Sequence, residues 1–107
     1  MTLEQVKELV HSQAVGNFSA VSHGISLNQA LIPPRRISVT AHDVREGRVT
    51  NEQLEVWLVG QERDQDGYKI IMRDNGMFGL AYKGLAVEER LVLMGWYGDL
   101  VSTFLGM

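Results

Sequence analysis

Three histidines, His11, His23 and His42, and thirteen acidic residues are the side chains here best suited to acid–base or metal chemistry. Their spacing does not organise them. No two histidines fall four residues apart on a helical stretch, and none has a second histidine at metal-ligand spacing. His42 and Asp43 are neighbours in an alternating segment, where adjacent side chains point to opposite faces and form no dyad. Asp64, Asp66 and Gly67 match the opening of an acidic calcium loop. The further ligand in register and the distant bidentate carboxylate are missing, so an acidic hairpin turn accounts for them. With no cysteine, disulfides, thiolate metal sites and a cysteine nucleophile are excluded. No Walker loop, dinucleotide glycine pattern, Gly-x-Ser-x-Gly elbow or His-Glu-x-x-His occurs, and no cofactor is indicated. A paired-carboxylate site assembled in three dimensions stays open.

Two other groupings stand out. Arg35, Arg36, Arg45 and Arg48 crowd one stretch, and Glu52, Glu55, Glu62, Asp64 and Asp66 crowd the next. Paired guanidinium groups would suit a phosphate, whereas pairing across adjacent antiparallel strands accounts for the basic and the acidic halves together. A net charge of −3 also opposes a polyanion, so nucleic acid ranks low among partners. In Gly95-Trp96-Tyr97-Gly98-Asp99, two adjacent aromatics between glycines point to opposite sides. Trp57, Trp96 and Tyr97 form a candidate interaction surface, because such rings combine large apolar area with a polar handle. Packing at a strand-to-helix corner is the competing reading. Arg36, His42, Tyr82 and Asp99 are the polar residues expected to line any pocket between sheet and helices.

The elements that would position these residues follow from hydrophobic rhythm. Thr2 to Gln13 reads as an amphipathic helix, with Thr2 and Gln5 as a capping box and Leu3, Val6, Leu9 and Val10 on one face. Phe18 to Ile32 is ambiguous. Ser26 to Gln29 is a second capping box for a short helix ended by Pro33-Pro34, but an extended segment fits nearly as well. From Arg36 the period is two: Ile37, Val39 and Ala41 alternate with Ser38, Thr40 and His42. Glu46-Gly47, Asp64 to Gly67 and Asn75-Gly76 mark turns, and Lys83 to Glu89 a loop, between further alternating runs. Gly60 marks a bulge. Leu91 to Trp96 is continuously apolar, which predicts burial on both faces or a central position. Asp99 then caps a closing helix.

Residues 1–107 are accordingly expected to form a single α+β domain. Four or five antiparallel strands run in meander order, packed by N- and C-terminal helices. Its 45% hydrophobic and 21% charged residues are ordinary for a soluble protein. No apolar run approaches the ~20 residues a membrane span needs. The polar N-terminus and the lack of cysteine predict a cytoplasmic setting. The leading functional expectation is a non-enzymatic domain that binds another protein, or its own copy, through a strand edge or an aromatic face. The alternative is a small-molecule binder or enzyme with a pocket between sheet and helices.

Overall fold

The capping box at Thr2 forms as the spacing requires. Thr2 accepts the Gln5 N–H and Gln5 accepts the Thr2 N–H, which starts α1 (Leu3–Ala14). The computed structural model describes residues 1–62, 67–83 and 91–107, without the side chains of residues 43–45 and 49. The turn expected over Asp64 to Asp66, and the loop from Gly84 to Glu89, lie outside the described residues. Phe18 to Ile32 contains both of the conformations its sequence allowed. A small hairpin of β1 (Val21–Ser22) and β2 (Ile25–Ser26) leads into the one-turn α2 (Leu27–Ala30), opened by the Ser26–Gln29 capping box. His23 in that hairpin lies 3.1 Å from Glu62, whose other oxygen accepts the Tyr68 N–H.

The remaining elements are β3 (Leu31–Arg45), β4 (Arg48–Gln61), β5 (Lys69–Met72), β6 (Phe78–Lys83), β7 (Leu91–Gly98) and α3 (Leu100–Leu105). Strand β3 begins before the double proline rather than after it. Pro33 and Pro34 sit where its register against β4 shifts, between Leu31 and Arg35, so their missing N–H groups are tolerated. Gly60 marks a second register shift, between β4 and β5.

The expected open antiparallel meander is corrected in one respect. Consecutive strands do pair antiparallel, but the sheet closes into a five-stranded barrel through a parallel contact, Thr40 opposite Val92. Five strands that each reverse direction bring the first and last side by side pointing the same way, so closure makes the sheet mixed. The paired residues can be followed round from Arg36 through Trp57, Met72, Phe78 and Gly98. Carrying the Thr40–Val92 register along β7, that path returns to β3 about ten residues beyond its start. This stagger tilts the strands and leaves the tip of the β3–β4 hairpin projecting from the barrel.

Period-two alternation separates two apolar layers. Val39, Val56, Leu58, Ile71 and Ala81, with Ile37, Leu54, Leu91, Leu93 and Trp96, fill the barrel lumen. Trp57, Val59, Ile70, Met72, Phe78 and Leu80 point outward beneath the helices, against Val6, Val10, Leu27, Leu100 and Phe104. Strand β5 is therefore buried on both faces. Burial on both faces or a central position was expected for Leu91 to Trp96, which forms the closing strand β7, flanked by β6 and β3 but not buried on both faces. Leu91, Leu93 and Trp96 enter the lumen, while Met94 and Tyr97 are exposed.

Candidate functional site

The β3–β4 hairpin supplies the candidate site, and its turn fixes which groups it offers. Glu46 and Gly47 both have positive φ, 52° and 75°, as a two-residue type I′ turn demands. Arg45 and Arg48, which flank it, form a hydrogen-bonded pair, and pair types alternate from there without a break to Arg35–Leu58. The pairs His42–Asn51, Thr40–Gln53, Ser38–Glu55 and Arg36–Trp57 are thus of the non-hydrogen-bonded kind, where side chains stand closest. Each of the four is joined across the strands. His42 Nδ1 lies 2.6 Å from Asn51 Oδ1, and Gln53 donates to the Thr40 hydroxyl at 2.8 Å. Ser38 donates to Glu55, and the Arg36 guanidinium covers the Trp57 ring at 5.1 Å. The result is a polar ladder on the outer face of the hairpin.

The same alternation decides where the backbone points. In a non-hydrogen-bonded pair the N–H and C=O face away from the partner strand. Asn51, Gln53 and Glu55 therefore direct three N–H and three C=O groups at the far side of β4. Beyond Trp57 that side is occupied, because β5 pairs with β4 from Trp57 to Gln61. Between Thr50 and Val56 no strand lies beside it among the described residues. This is an open edge, and its three outward residues are exposed.

Where β4 and β5 part, a cleft of about 250 Å3 opens toward the lumen, lined by Leu54, Glu55, Val56, Arg73, Asp74 and Asn75. The last three belong to the β5–β6 turn, held by the Arg73 N–H donating to the Met77 carbonyl and the Gly76 N–H donating to the Arg73 carbonyl. Arg73 stacks over the Trp96 ring at 5.1 Å and takes part in none of the ion pairs among the described residues. The carboxylates on the wall are engaged. Asp74 accepts from the Trp57 indole at 3.0 Å and from Arg36 at 3.1 Å, with the Met1 ammonium 3.8 Å away. The Trp57 bond, followed by the Arg36 charge, holds its carboxyl below the ordinary aspartate value of 3.8.

A pKa depressed by folding contributes stability above the unfolded value, and that contribution is lost as pH falls through the lower folded one. Asp74→Asn should accordingly unfold at lower urea than the parent near pH 6, and the two midpoints should draw together only as pH falls below the ordinary aspartate value. A constant gap across that range would separate the Trp57–Asp74–Arg36 cluster from acid sensitivity.

Among the residues singled out from sequence, Arg36 and Trp57 meet across the strands and Asp74 joins them, a link no sequence spacing announced. Among the described side chains, Arg35, Arg36 and Arg48 form no ion pair with Glu52, Glu55 or Glu62. Arg36 meets Asp74 instead, and Arg45 lies opposite Arg48, because the turn sets the register. Trp57 is 9% exposed, and Trp96 is half-buried in the lumen, so only Tyr97 presents its ring to solvent. His42 sits further along the hairpin, Tyr82 is exposed on β6, and Asp99 caps α3 by accepting the Ser102 N–H. These three do not line the cleft, and apolar side chains fill the space between barrel and helices. Among the described residues no three histidine or carboxylate side chains converge as a metal site requires, and no helix is long and apolar enough to cross a membrane. No protein-family model matches the chain, nor does any curated protein or solved structure, so the open edge and its cleft are read from geometry alone.

Proposed function

We propose that this protein is a non-enzymatic interaction module that accepts an extended segment of a partner polypeptide along β4. The observation carrying this reading is the row of outward N–H and C=O groups at Asn51, Gln53 and Glu55. Natural sheets blunt such rows with prolines, bulges or cover, and this stretch has none of the three among the described residues. An added strand forms main-chain hydrogen bonds whatever its sequence, and neighbouring pockets then select its side chains. The cleft beside Leu54 and Val56 suits that purpose. At about 250 Å3 it falls below the ~300 Å3 where small-molecule pockets begin, and it can hold one side chain.

Selection of binders from a displayed random decapeptide library tests this. Binders should shift the amide resonances of Asn51, Gln53 and Glu55, and affinity should fall at least about tenfold on Gln53→Pro, which removes one outward donor. Peptides that shift α1 or α3 instead, or that bind the proline variant unchanged, would rule the reading out.

A further inference from the structure

The slot beside β4 has one closed end. A strand laid along Asn51, Gln53 and Glu55 meets β5 and the Arg73–Asn75 turn at the level of Trp57, so it must turn sharply or stop there. Its direction decides which chemical group arrives. A segment antiparallel to β4 brings its N-terminal side to the turn, and a segment parallel to β4 brings its C-terminal side.

The groups waiting at that end favour the second arrangement. An arriving ammonium would need a free carboxylate, but Asp74 already holds Trp57, Arg36 and the Met1 ammonium, and Glu55 holds Ser38. Arg73 has its guanidinium braced on Trp96 and no counter-ion among the described residues. Guanidinium groups bind carboxylates through paired, charge-assisted hydrogen bonds, more strongly than neutral partners. Leu54 and Val56 give the same cleft an apolar wall.

On the reading that β4 accepts an added strand, we infer that the occupant is the C-terminal tail of a partner polypeptide. The tail runs parallel to β4, its terminal carboxylate meets Arg73, and its last side chain, an apolar one, rests on Leu54 and Val56. The polar ladder keeps its internal bonds and is not consumed by binding.

Decapeptides selected from a library displayed with free C-termini, then synthesised as free acids and as C-terminal amides, test this. The acids should bind at least about tenfold more tightly than the amides, the worth of one charge-assisted contact. Arg73→Gln should abolish that difference, and Arg73→Lys, which keeps the charge, should retain part of it. The ring signals of Phe104, buried beneath the helices and away from Arg73, report whether each variant stays folded. If acid and amide bind equally while the amides of Asn51, Gln53 and Glu55 still shift, strand addition stands and the carboxylate assignment is overturned. If no peptide shifts those amides, both fall.

Discussion

Gly79→Ala is expected to destabilise the protein by about 3 kcal/mol, a large share of the stability of a chain this size. A methyl group built at Gly79 would lie 2.5 Å from the Gly95 carbonyl oxygen and 2.6 Å from Trp96 Cε3. Both distances are well inside contact, and the oxygen belongs to backbone that cannot rotate away. Gly79 and Trp96 are directly opposite on β6 and β7, and the indole lies over the glycine inside the lumen. The small residue on one strand makes room for the large one on the next, a pairing that small barrels need to fill a narrow interior. Urea unfolding measures the loss. Adding Trp96→Leu should recover only part of it, since the carbonyl remains. A Gly79→Ala protein within about 0.5 kcal/mol of the parent would mean that the ring is not seated there.

The second large effect is a contrast between neighbours. Leu54→Pro should cost at least about 3 kcal/mol, because Leu54 pairs with Val39 in the hydrogen-bonded register and its N–H feeds the ladder. Gln53→Pro should cost only about 1 kcal/mol, from the lost bond to Thr40 and local strain, because its N–H faces the open side. The two substitutions differ by one position, so the gap between their unfolding midpoints reports the parity of the hairpin. Equal losses would mean that the turn does not set the register as its two positive φ angles require.

Much of the fold was legible from short-range signals. Capping boxes at Thr2 and Ser26, the cap at Asp99 and the Gly60 bulge depend on residues a few positions apart. So did the assignment of Ile37 and Val39 to one face and Ser38 and Thr40 to the other, since side-chain direction alternates strictly along a strand. Closure was not legible, because it depends on stagger accumulated over five strands rather than on any one of them. That also explains why Leu91 to Trp96 is flanked on both sides without being buried on both faces. Apolar residues on both faces of Leu91 to Trp96 read as double burial, although one face is lumen and the other leaves Met94 and Tyr97 exposed. The site escaped for a related reason. Its edge is defined by what is missing beside Asn51 to Glu55, and its cation by a turn over 17 residues further along the chain. The only advance signal was Glu46-Gly47, whose type I′ preference fixes backbone parity once the turn is recognised.

The parallel contact between Thr40 and Val92 joins residues far apart in the chain, whereas every other strand pairing among the described residues is between neighbours in sequence. Chain entropy makes such a joint the last to form, after the adjacent hairpins have already been rewarded with local bonds. Assembly of this protein is therefore expected to end with a zip along one seam, the greasy interior staying within reach of other molecules until that final step.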